Sequence, residues 1–205
     1  MGADRIGEAL EAVYRAFAAP APAIIEGCPC CIEKRGVDVL LTTPLRQLTG
    51  DALFSYASGV YLTVGGDRDF KYLLPRILEV AIEDPVDSTD VEIILRKLTL
   101  ANWMAWPADQ RQAIENLIGP WFELALARDL TDRGDGWIGW DTERLLCGIA
   151  RAELSLEPWL ARMQQPDAAP VLADLKQRFP DTLSAFWEDA PAGLRVLVAA
   201  IGRSH

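Results

Sequence analysis

Gly27-Cys28-Pro29-Cys30-Cys31 is the stretch of this chain best equipped for chemistry. Cys28 and Cys31 have C-x-x-C spacing, and the run stands just before a segment with helical periodicity. A thiol at a helix start faces unpaired backbone N–H groups and the positive end of the dipole. Both favour the thiolate, which is the nucleophile and the metal ligand. Cys31 should lie closest to the helix start and Cys28 should be the most accessible thiol. Together Cys28, Cys30 and Cys31 form a soft donor set that could hold zinc. Structural zinc takes four ligands, and the only further cysteine is Cys147, the only histidine the terminal His205. A thioredoxin-like site would need a βαβ context, whereas the flanks here are a proline-rich linker and helical periodicity. Cys30 and Cys31 could pair only as a strained vicinal disulfide. The plainer reading is that one or two of these thiols pack as small buried hydrophobes, with Pro29 fixing the turn. That reading is preferred for want of a fourth ligand. Metal or redox chemistry is its rival, and another reactive role stands behind both.

A second group of candidates lies in the glycine-rich loop DRGDGWIGWD, which carries Trp137 and Trp140. A large aromatic in such a loop either plugs the core or anchors a partner. The plug is the preferred reading, because exposed tryptophan is uncommon. An EF-hand register over Thr131 to Thr142 places Arg133 at the third position and a threonine at the twelfth, where calcium needs oxygen ligands and a bidentate glutamate. It is rejected in favour of a turn with Asp141 capping the next helix. The acidic run Glu83, Asp84, Asp87, Asp90 and Glu92 could face a basic partner; a solvated loop with helix-start carboxylates explains it as well. Gly-x-Ser-x-Gly, Walker-type and dinucleotide fingerprints are absent, and a terminal histidine is a poor catalytic base. No catalytic residue is assigned, and the chain is expected not to be an enzyme.

The elements that must carry these residues read as helices. Ile6, Leu10, Val13, Tyr14 and Phe17 share one stripe. Residues 1–19 are an N-terminal helix, 20–32 a linker with the cysteine cluster, and 33–205 a body of helical hairpins. The whole is expected to be one all-α domain. Within the body, a short helix over 33–41 ends at Thr43-Pro44, and Gly65-Gly66 closes the segment from Asp51 to Val64. Asp67 can cap the following helix, which Pro75 should kink or split. Thr89 and Glu92 have capping-box spacing. Further helices are expected from Pro107, around Leu145, and over 156–163, 168–178 and 181–202, the last breaking near Pro191. Phe70, Leu74 and Ile77 align with Ile114, Ile118 and Trp121 at a spacing of 44 residues. Stacked hairpins of HEAT type have such a period, although any two amphipathic helices align in this way. Phe70, Leu74, Ile77, Leu117, Ile118 and Trp121 are the expected core.

Composition bounds the function. Half of the 205 residues are hydrophobic, so the chain can bury a substantial core,. The net charge of −10 repels phosphate backbones and anionic lipid, which argues against nucleic acid and membrane surfaces as partners,. The N-terminus lacks a signal-peptide pattern, and Ile6 spoils the myristoylation pattern that Met-Gly opens. A cytoplasmic location is expected, with reduced thiols rather than a disulfide framework.

The runs EGCPCCI, PLRQLTGDALFSYA and DFKYLLPRILE together resemble a group of small bacterial helical proteins that share the Gly-Cys-Pro-Cys-Cys element and a Phe-x-x-x-Leu-Pro-Arg helix. The resemblance covers residues 24–82. It implies that the cysteine cluster is a family feature and implies no reaction. The expected function is therefore that of a non-enzymatic, cytoplasmic binding protein, of inhibitor or immunity type by analogy. Its partner is a protein, a basic one suiting the charge. A thiol-based metal or redox protein using Cys28, Cys30 and Cys31 is the alternative.

Overall fold

The computed structural model describes residues 2–28, 37–179 and 181–202. Among the described residues the chain is all-α: it forms ten α-helices and no strand. The extended pairings among the described residues are isolated bridges of Gly27 and of Val60 with Val64. None of the described helices is long and apolar enough to cross a membrane. Contacts cluster into two compact units, residues 1–118 and 119–205.

The first unit holds α1 (Gly2–Ala16), α2 (Val37–Thr42), α3 (Gly50–Gly59), α4 (Asp67–Glu83), α5 (Val91–Leu100) and the first part of α6 (Ala108–Gly134). Its centre is α4, against which α1, α3 and α5 pack. The 3.6-residue stripe explains this: Phe70, Leu73, Leu74, Ile77 and Leu78 are all buried, and they meet the buried Val13, Leu53 and Ile94 faces of the neighbouring helices,. Each such side chain contributes roughly 1.5–3 kcal/mol by leaving water. Of the kink or split expected at Pro75, the split does not occur: α4 runs as one helix from Asp67 to Glu83. Pro75 removes one N–H from the ladder, but buried residues on both sides of it belong to the same core, and packing outweighs one lost hydrogen bond.

The capping expectations need correction too. Asp67 is the first residue of α4 rather than its cap. Gly66 takes the cap position, and its N–H donates to both carboxylate oxygens of Asp69 at 3.1 and 3.0 Å. Thr89 and Glu92 form no capping box. Asp90 precedes α5, and the Thr89 hydroxyl donates instead to Phe54 O at 3.4 Å.

The second unit holds the rest of α6, α7 (Asp141–Arg151), α8 (Glu157–Met163), α9 (Ala169–Arg178) and α10 (Pro191–Ile201). A 3-10 turn, Ala185–Asp189, precedes α10, so the expected break near Pro191 is present. α10 packs on α7, α8 and α9. At its crossing with α7 a Cβ on Gly193 would lie 2.5 Å from the Ala150 Cβ, so only glycine permits this approach. The Arg162 guanidinium joins α8 to α6 with a fork onto Glu123, at 2.8 and 3.0 Å. The six residues expected in the core, from Phe70 to Trp121, are each buried.

Candidate functional site

The cysteine-bearing segment belongs to the first unit. Its backbone is laid against the turn that follows α3. Cys28 N–H donates to Thr63 O at 3.0 Å, Gly65 N–H donates to Glu26 O at 2.6 Å, and Gly27 bridges Val64. Ile25 is buried, while the Cys28 side chain is exposed. Cys30 and Cys31 lie outside the described residues, as does the start of the helix expected from residue 33. Cys147 is buried in α7. Among the described residues no three histidine, cysteine or carboxylate side chains gather as a metal site.

The turn beneath Cys28 is held from behind by buried polar groups. Lys97 of α5, almost fully buried, donates its ammonium to Ser58 O at 2.8 Å and Val60 O at 3.1 Å. It thereby serves the carbonyl end of α3, where a cation also suits the dipole. The Tyr56 hydroxyl donates to Asp69 Oδ2 at 2.5 Å. Burial, then the neighbouring Asp69 charge, pushes the Tyr56 pKa far above the ordinary tyrosine value, so the phenol stays a donor. Tyr61 has φ of 62° and is steadied by its hydroxyl, which donates to Asp67 at 2.8 Å. Gly65 has φ of +66°, and a Cβ there would fall 2.2 Å from Asp69 Oδ2. Two left-handed residues in one turn, with buried hydrogen bonds around them, fix the backbone that carries Cys28.

The second candidate loop lies in the other unit. α6 runs to Gly134, Trp137 N–H donates back to Asp132 O at 2.8 Å, and the chain then crosses Asp129 to enter α7. Trp137 is 74% exposed and Ile138 50% exposed, so Trp137 is not the core plug preferred from sequence. The physical reason is the mounting of the loop. Asp129 accepts from Asp141 N–H at 3.0 Å and Thr142 N–H at 2.9 Å, closing the start of α7 without help from the tryptophan. Asp141 is therefore not the cap expected of it. The loop passes so close that a Cβ on Gly139 would meet Asp129 Oδ1 at 2.2 Å.

Trp140, 38% exposed, is held differently. The Arg178 guanidinium stands 4.0 Å from its ring centre and 3.5 Å from Glu143 Oε2. Glu143 is buried and also accepts from Trp187 Nε1–H at 2.6 Å and Ser184 N–H at 3.1 Å. One carboxylate thus ties α7 to the turn before α10 and steadies the cation beneath Trp140. Trp137 and Ile138 are left facing solvent at the tip of a firmly mounted loop.

Sequence reasoning missed Lys97, Asp129, Glu143 and Arg178. A signal was available for three of them: Lys97, Asp129 and Glu143 fall on the apolar stripes of their helices, three or four residues from Ile94, Ala125 and Leu146. A charge in such a place must be satisfied from another element. Arg178 carries no such mark. Compared with known proteins, the chain matches no family model, no curated protein and no solved structure.

Proposed function

We propose that this chain is a non-enzymatic binding protein that docks a protein partner through the loop 135–140, with Trp137 as the anchor. The observation that carries the reading is the exposure of Trp137 beside Ile138 on a loop that Asp129 and Arg178 hold in place. Docking a pre-ordered aromatic loses little conformational entropy, and tryptophan is among the residues that dominate binding energy. The net charge of −10 suits a partner with a basic rim around the pocket that takes the indole,. An inhibitor or immunity-type role is the concrete form of this function. The test compares the wild-type chain with the Trp137→Ala/Ile138→Ser variant as baits. A partner captured by the first and lost by the second should, once purified, bind the wild type 1:1 in calorimetry. Its affinity for the variant should fall about 30-fold, as for loss of a ~2 kcal/mol anchor. A genuine partner whose affinity the double substitution leaves unchanged overturns the reading.

A second reading has its own support: Cys28 is exposed on an immobilised backbone, which suits a thiol that must be presented to a metal or an oxidant,. Zinc held by Cys28, Cys30 and Cys31 is the form it takes. Stoichiometric zinc in protein purified under reducing conditions, lost in Cys28→Ser or Cys31→Ser and on acidification, supports it. Metal-free protein with stability lost in those variants supports structural packing instead.

A further inference from the structure

A groove of 560 Å³ opens between the first turn of α3 and the loop joining α4 to α5. Its walls carry Asp51, Asp84 and Asp87 together with two apolar side chains, Phe54 and Val86. Phe54 is 51% exposed and Val86 88% exposed. Among the described residues no cation pairs with any of the three carboxylates; Asp84 accepts only from Asp87 N–H, at 3.2 Å. The walls are fixed. The Thr49 hydroxyl accepts from Ala52 N–H at 3.3 Å and caps α3, and Leu53, Tyr56 and Ala57 bury the opposite face of that helix. The loop is held against α3 by the Thr89 hydroxyl, and it lies so near that a Cβ on Gly50 would meet Asp87 O at 2.4 Å.

We infer that this groove docks a peptide segment in which an arginine stands next to a leucine-like residue. Charge complementarity selects the arginine: three aspartates line one open groove in a chain of net charge −10. A guanidinium can fork onto a carboxylate while its flat face covers the Phe54 ring, which a lysine ammonium does less well. Val86 supplies the apolar contact that the neighbouring residue needs. The groove is open to solvent, so it suits side chains delivered on a backbone rather than a small molecule that must be enclosed. The site stands on residues 49–88 alone and does not depend on the Trp137 loop.

The test follows amide shifts of the isotope-labelled full chain during titration with an acetylated peptide of two Arg-Leu steps spaced by glycine. Shifts should concentrate at 49–54 and 84–88. Affinity should fall at least 10-fold in Asp84→Asn/Asp87→Asn and in Phe54→Ser, fall several-fold when arginine is replaced by lysine, and weaken with salt. Trp137→Ala should leave it unchanged, which separates this site from the loop proposed above. Gly50→Ala, which displaces the loop, should weaken binding while helical content stays constant. No saturable shift in the groove, equal binding of a peptide with glutamate in place of arginine, equal binding of free arginine amide, or indifference to the Asp and Phe substitutions would each overturn the inference.

Discussion

Asp129 stands on the apolar stripe of α6, and desolvation pushes its pKa above the ordinary aspartate value, against the bonds from Thr142 and Asp141 that pull it down. A carboxylate whose pKa is raised on folding contributes stability below its unfolded value, and that contribution is lost as pH rises through the folded one. Replacing Asp129 by Ala should cost about 1–2 kcal/mol at neutral pH by leaving two helix-start N–H groups unserved. The gap between wild type and variant should widen as pH falls through the raised pKa toward 3.8. Urea midpoints at about pH 6.5 and about pH 4 would read it; a gap that narrows instead would show that the hydrogen bonds outweigh desolvation. Gly65 gives a second residue-scale outcome. Gly65→Ala combines a φ of +66° with a Cβ 2.2 Å from Asp69 Oδ2, so it should lose at least ~1–3 kcal/mol,. It should also speed alkylation of Cys28, whose segment that turn carries. Unchanged stability and labelling rate would show that the turn relaxes freely. The sequence marked Gly65-Gly66 as a helix end. It did not reveal the role of Gly65 beside Asp69, because that role depends on a tyrosine nine residues upstream turning its hydroxyl inward.

At the scale of elements, the helices were legible because their apolar stripes are wide and their ends are punctuated. Thr43-Pro44 ends α2, Pro107 precedes α6, and Pro191 opens α10. The caps were less legible. The helix starts at Val91 and Asp141 are satisfied or bypassed through tertiary partners, Phe54 O for Thr89 and Asp129 for α7, and a local motif cannot anticipate a partner brought in by packing,. Lys97 shows the same limit at a helix end. Its ammonium serves Ser58 O and Val60 O from a different helix. Lys97→Met keeps the stem's packing and removes the charge-assisted bonds. It should lower stability by about 1.5–3 kcal/mol and loosen residues 60–65 selectively. Hydrogen exchange would test this: faster exchange at Cys28 and Gly65 amides with α4 protected is the expected pattern, and uniform change across the unit would refute it.

For the whole molecule, the all-α class was readable from periodicity. The exposure of Trp137 was misread, because it depends on what else closes α7. The expectation of reduced thiols, which follows from the expected compartment, is open to test. The thermal midpoint should stay the same with and without reductant, and a large drop on reduction would show that cross-links hold the fold. The distribution of the seven tryptophans has an optical consequence. Trp103, Trp106, Trp121 and Trp187 are buried, whereas Trp137 is 74% exposed. The emission of the native chain should therefore contain a red-shifted component reached by a neutral quencher such as acrylamide and absent from Trp137→Phe. Iodide should reach it less well, since it is repelled by the net charge of −10,. Trp137→Phe should leave the unfolding free energy within about 0.5 kcal/mol of wild type, as a surface change does. The molecule thus carries its own unlabelled light source at the tip of the loop, one that should shift to the blue and escape acrylamide if the proposed partner docks there.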